Sequence, residues 1–160
     1  MNQVGPIPGH PEARTQEDQL TQPESRRLTL AEAAAHLASQ PFSVLLATRL
    51  TSFGPDQTIL EVDVREDLLQ QNGFLHGGVL AYAADNALTY AGGAALGPAV
   101  LTGGMSIEYL RPALGITLRA TARIRHVGKC RTICGCDLEM IDDTGKMRLC
   151  AVAQGTVHSV

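Results

Sequence analysis

The sequence predicts an α+β fold in which an antiparallel sheet of about six strands wraps around one long helix. Three observations carry that expectation. From His76 to about Ala91 the residues are apolar nearly all round a helix, so this segment must be covered on most sides. Other segments alternate apolar and polar residues with the two-residue period of a half-buried strand. Turn residues separate the later segments closely enough to make an antiparallel meander.

Residues 1–27 are rich in Gln, Glu, Pro and Arg without an apolar period, and are expected to be a disordered tail. One domain is expected over residues 28–160. Thr29 and Glu32 form a capping-box pattern for a helix over Leu30 to Ser39, stopped by Pro41. Ser43 to Leu50 and Thr58 to Arg65 follow as strands around the turn-like Ser52 to Asp56. In the second strand Leu60, Val62 and Val64 face one way, with Glu61, Asp63 and Arg65 facing the other.

The long helix then runs from His76 to Gly92-Gly93, which is expected to end it. Beyond a Gly/Pro linker, Ile116 to Arg125 alternates, with Ile116, Leu118, Ala120, Ala122 and Ile124 on the core face. Gly128-Lys129 and Asp142 to Gly145 are turns dividing it from strands over Arg131 to Ile141 and Lys146 to His158.

At 160 residues the chain can bury a core without disulfides or a structural metal. Its net charge of −3 gives no general attraction for polyanions, so nucleic acid is not an expected partner. With neither a secretory signal nor the ~20 apolar residues of a membrane helix, a cytoplasmic location is expected. Cys130, Cys134, Cys136 and Cys150 lack C-x-x-C spacing, and on a strand the first three share one face. They are expected to be reduced and packed as small hydrophobes. His36, His126 and His158 show no ligand spacing, so no metal is expected.

Asp85 is the one charge inside the apolar run, and desolvating an unpaired carboxylate costs several kcal/mol. It is therefore either a structural carboxylate satisfied by neighbours or a general base or nucleophile. His76-Gly77-Gly78 opens the same helix, where glycines let a ligand approach free N–H groups at the positive end of the dipole. A plain glycine turn is the alternative. Gly77 and Asp85 are about 12 Å apart along the axis at 1.5 Å per residue, too far for one small carbonyl. Two copies with antiparallel helices would bring one glycine end to the other aspartate, so at least a homodimer is expected, and a homotetramer as a dimer of dimers.

The segments Gln70-Gln71-Asn72-Gly73-Phe74-Leu75-His76-Gly77-Gly78, Ala84-Asp85-Asn86 and Met105-Ser106-Ile107-Glu108-Tyr109-Leu110-Arg111-Pro112 together resemble the phenylacetate-degradation-type thioesterases of the hot-dog-fold superfamily. The resemblance spans residues 43–156. It implies hydrolysis of acyl-CoA thioesters, with an aromatic acyl group of phenylacetyl type or a medium-chain one, without a cofactor beyond the coenzyme A of the substrate. It implies Asp85 as the carboxylate that activates water or attacks the carbonyl, and Gly77 as the oxyanion donor. It implies Gln70 as the residue that orients water or thioester, with Asn72 as its substitute, and Thr102 as a hydroxyl that helps hold the water. His76 and Gly78 complete the helix-start motif. Gly103-Gly104 departs from the bulkier residues expected there, and either widens the acyl pocket or marks a bulge.

Coenzyme A carries phosphates, for which Lys129, Arg131, Arg125 and Arg111 are the candidate partners, Lys129 first because it sits in a turn. Two other functions fit the same fold. A hydratase or dehydratase of acyl thioesters would need a histidine base, and a non-catalytic acyl-CoA-binding or regulatory module would keep the pocket without turnover.

Overall fold

A computed structural model describes residues 28–160, so the expected tail over residues 1–27 lies outside the described residues. Six strands form one sheet: β1 (Arg49–Ser52), β2 (Thr58–Asp63), β3 (Val100–Tyr109), β4 (Thr117–Val127), β5 (Arg131–Ile141) and β6 (Met147–Ser159). Their order across the sheet is β1-β2-β4-β5-β6-β3, and every neighbouring pair is antiparallel. The helices are α1 (Leu30–Ala38), α2 (Pro41–Leu45) and α3 (Gly77–Leu96), and α3 packs against β2 through β6. This is the expected sheet wrapped around one helix.

Alternation decides which side chains meet α3. Leu60 and Val62 of β2, Leu118, Ala120 and Ala122 of β4, and Leu138 and Met140 of β5 are all buried. Burying each leucine stabilises the fold by about 2 kcal/mol. On α3 half of the buried residues are alanines, Ala83, Ala84, Ala87, Ala91 and Ala94, whose small side chains let the helix sit close to a curved sheet. Among the described residues no helix is long and apolar enough to cross a membrane.

The capping box forms as expected: the Glu32 N–H donates to Thr29 Oγ1 (3.3 Å), and the Thr29 N–H donates to Glu32 Oε2 (2.9 Å). Ser43 to Leu50 departs from expectation. Pro41, with its preset φ, starts the short helix α2, and only Arg49 and Leu50 of that segment join a strand. Ala47 takes φ 50°, reversing the chain between the two elements.

The long helix also corrects the expectation, because it runs through Gly92-Gly93 to Leu96 and stops at Gly97, whose φ is 98°. Glycine inside a helix costs about 1 kcal/mol relative to alanine, so each of the pair needs a reason. A Cβ on Gly92 would lie 2.6 Å from Val157 Cβ and 2.9 Å from Thr132 Oγ1, so close packing on β5 and β6 accounts for it. No such clash constrains Gly93, where a Cβ would meet only Val100 Cγ2, at 3.4 Å.

In β4, Ile116 precedes the strand and is exposed, whereas Thr121 is buried beside its neighbours. Of the cysteines expected on one face, Cys134 and Cys136 face the core, but Cys130 lies in the turn before β5 and is exposed. Cys150 is buried on β6.

Candidate active site

Asp85 lies midway along α3 and is half-buried. Thr102 Oγ1 of β3 donates to its Oδ1 at 2.7 Å. Thr89, one turn further along α3, has its hydroxyl 2.8 Å from the Asp85 carbonyl oxygen and 2.5 Å from Thr102 Oγ1. Each hydroxyl has one proton to give. Thr102 gives its proton to Oδ1, and Oδ2 has no protein donor among the described residues. Thr102 thus touches the carboxylate itself, rather than only a water beside it. Thr89 was not legible as a site residue, although its place four residues after Asp85, on one helix face, is the signal that could have found it.

A bulge aims Thr102. Met105 and Ile107 pack against the core, so by strict alternation Thr102 would point outward. The register of β3 on β6 shifts between Thr102 and Gly104, and Gly103 is the extra residue that turns Thr102 inward. The His158 ring covers Gly103, where a Cβ would lie 2.4 Å from its Nε2. Of the two expectations for Gly103-Gly104, the bulge is the one observed. Neither glycine lines the cavity at Asp85.

That cavity, of about 450 Å³, runs from Asp85 along α3 between α1 and the start of β3. A second one, of about 400 Å³, lies at the opposite end of β3 and is lined by Gly77, Gln70, Tyr109 and Arg111. No residue lines both.

At Gly77 the helix start sorts its donors. His76 is the N-cap: its Nδ1 accepts from the Gly78 N–H at 2.9 Å, and its carbonyl accepts from the Val79 N–H. Among the described residues the Gly77 N–H has no acceptor, so this is the free donor at the positive end of the dipole. A Cβ on Gly78 would lie 3.0 Å from His76 Nδ1, so this glycine makes room for the cap. Gly78 is thereby engaged with His76 rather than free for a ligand. The Tyr109 hydroxyl donates to Gly77 O (2.9 Å) and its ring lies against Gly77.

Gln70 lies in a tight turn, with its N–H bonded to Phe74 O and Gly73 at φ 77°. Asn72 Nδ2 donates to Gln70 Oε1 (3.3 Å) from the exposed tip of the turn. Of the expected phosphate partners, only Arg111 joins the Gly77 cavity. Lys129 and Arg131 are exposed at the β4–β5 turn, and Arg125 lies over Gly135 on the outer face of the sheet. Among the described residues no group of three or more His, Cys, Asp or Glu side chains could hold a metal ion.

The sequence pattern of the Thioesterase superfamily matches residues 72–146, a span that holds His76, Gly77, Asp85 and Thr102. The acyl-coenzyme A thioesterase PaaI of Escherichia coli (strain K12) is 31% identical over 103 residues, covering 64% of this chain and 70% of that protein. Among solved structures, a thioesterase family protein from Silicibacter pomeroyi superposes with a TM-score of 0.76 at 26% identity, covering 82% of this chain and 98% of its own. The E. coli PaaI structure gives 0.69 at 25% identity, covering 82% and 94%.

Proposed function

Because the chain belongs to the thioesterase superfamily and is a thioester hydrolase of the hot-dog fold, we propose that it hydrolyses acyl-CoA thioesters to the free acid and coenzyme A. The proposed acyl groups are aromatic, of phenylacetyl type, or medium-chain. The observation that carries this reading is the division of the site along one strand: β3 brings Thr102 to Asp85 near one end and Tyr109 to Gly77 at the other.

Among the described residues β3 is paired on one side only, leaving ten residues of free edge. Antiparallel pairing of two such edges about a two-fold axis would set the Asp85 end of one chain beside Gly77 of the partner subunit. The proposed unit is therefore a homodimer with two composite sites, and two such dimers would make the tetramer. Arg111 is the proposed phosphate partner, replacing Lys129, because it shares the cavity of Gly77 and Gln70.

In the proposed reaction Asp85 Oδ2 takes a proton from water that attacks the carbonyl, or attacks it directly to give an anhydride that water then opens. The Gly77 N–H donates to the developing oxyanion, a contribution of ~3–4 kcal/mol in comparable sites. In the general-base route the carbon–sulfur bond then breaks and the sulfur leaves as thiol with the proton that Asp85 took from water. In the nucleophilic route it leaves as thiolate when the anhydride forms, and the proton released when water opens the anhydride balances it. Gln70, with Oε1 held by Asn72, keeps its amide N–H groups for the thioester.

A hydratase would need a free imidazole base, but His76 Nδ1 is occupied by the Gly78 N–H, which favours hydrolysis. The test is thiol release over a panel of acyl-CoAs by the unaltered chain and by Asp85→Asn. Turnover lost by orders of magnitude in a folded Asp85→Asn is the expected result. Near-native turnover would remove Asp85 from the mechanism, and tight binding without release would favour the non-catalytic module.

A further inference from the structure

Gly93 stands where neither backbone nor packing asks for glycine. It lies inside α3, two turns beyond Asp85, and a Cβ there would make only an ordinary contact with Val100. Gly93 and Val100 both line the cavity at Asp85, so any side chain at position 93 would project across that space. The missing side chain keeps the far end of the cavity open.

The cavity follows α3 past Asp85, Thr89, Tyr90 and Gly93. Eight residues of helix separate Asp85 from Gly93, about 12 Å at 1.5 Å per residue. An extended chain advances about 1.2 Å per bond, since a residue of three bonds spans at most ~3.6 Å, so this length holds about ten bonds. Phe53, Val100, Leu101 and Val160 give the walls an apolar lining. One flank is closed by a fixed polar cluster, in which the buried Tyr90 hydroxyl meets His36 Nδ1 (3.2 Å) and accepts from Gln40 Nε2 (3.3 Å).

We infer that Gly93 is the floor of the acyl groove at its far end and sets the longest acyl chain accepted, an unbranched group of about ten carbons. The inference rests on the thioesterase reading and adds the residue that limits its substrate. A phenylacetyl group is shorter than the groove and ends before Gly93, so its turnover does not depend on this position. Gly93 positions no reacting atom. Its effect is on specificity alone.

The experiment compares the unaltered chain with Gly93→Ala and Gly93→Leu on butyryl-, octanoyl-, decanoyl- and phenylacetyl-CoA, reading kcat/KM by thiol release and folding by thermal melting. Alanine and leucine are better helix formers than glycine, so both variants are expected to fold. In Gly93→Leu, kcat/KM for decanoyl-CoA is expected to fall about tenfold or more, as when two methylenes lose their burial. The same variant should keep butyryl- and phenylacetyl-CoA turnover within about twofold, with Gly93→Ala intermediate on the decanoyl substrate. An unchanged length profile in a folded Gly93→Leu, or an equal loss on all four substrates, overturns the inference while leaving the thioesterase reading in place. No hydrolysis of any of the four by the unaltered chain overturns that reading, and this inference with it.

Discussion

The Thr102 hydroxyl on β3 sits 2.7 Å from Oδ1 of Asp85 on α3, and both reach that point through local devices: a bulge at Gly103 turns one inward, and helix periodicity aims the other. A half-buried carboxylate is thereby given one neutral donor and no cation among the described residues. It is held in place without being neutralised by a salt bridge.

Removing that donor should therefore impair turnover more than binding. Thr102→Val keeps the shape and deletes the hydroxyl, and a hydrogen bond to a charged group contributes about 1.5–3 kcal/mol. The expected outcome is a kcat lower by about 10- to 100-fold with KM little changed, and a smaller loss for Thr89→Val, which acts through Thr102. Steady-state thiol release checks this. Unaltered kcat in Thr102→Val would show that the contact does not support the reaction.

The composite architecture is open to a complementation test. Asp85→Asn and a Gly77-disabled chain, each inactive alone, are unfolded, mixed and refolded together. Random pairing makes about half the dimers mixed, each with one intact site, so about a quarter of the unaltered activity should return. No recovery despite confirmed mixed dimers would place both groups in one chain's site.

Arg111 beside Gly77 gives a prediction about the coenzyme A moiety. Arg111→Ala should raise KM for an acyl-CoA about tenfold, and raise it far less for the matching acyl-pantetheine, which lacks the nucleotide phosphates. Lys129→Ala should raise neither. Equal effects of Arg111→Ala on both substrates would indicate a packing role at the end of β3.

Three of the four thiols should be silent in the folded protein. Burial pushes Cys136 up to about 12 and Cys150 up to about 11, and raises Cys134 as well. Cys130 alone is exposed, so a thiol reagent at pH 8 should label one cysteine quickly in the native chain and all four in denaturant. Raised acid groups favour the fold while neutral, so their stabilisation is complete below the unfolded thiol range and is lost as pH rises from about 9 toward 12. Each thiol that ionises only on unfolding lowers stability by about 1.4 kcal/mol per pH unit across that window. Denaturant midpoints at pH 7 and pH 10.5 check the sign. Rapid labelling of more than one thiol in the native state would contradict the burial.

Much of this protein follows from short-range patterns, because alternation and capping act between residues a few positions apart. The capping box at Thr29, the core face of β2, and the helix start at His76-Gly77-Gly78 all depend on neighbours, and all were legible. Asp85 was legible because a charge in an apolar helix must be satisfied or used. Its partner was nameable only through resemblance, as the contact spans seventeen positions and depends on a one-residue bulge.

The misreadings share one cause. Gly92-Gly93 looked like a helix end, since isolated propensity cannot show that Val157 packs on the first glycine and an open cavity lies beside the second. Ser43 to Leu50 looked like a strand because its apolar run carries no sign of where the chain reverses at Ala47. Lys129 ranked above Arg111 because its turn is legible in the sequence, and only the folded chain puts Arg111 beside Gly77. Local sequence determined which residues are helical, buried or charged, because those preferences are settled within a few residues. The tertiary structure decided which of them meet, because that depends on strand order and register set by the whole sheet.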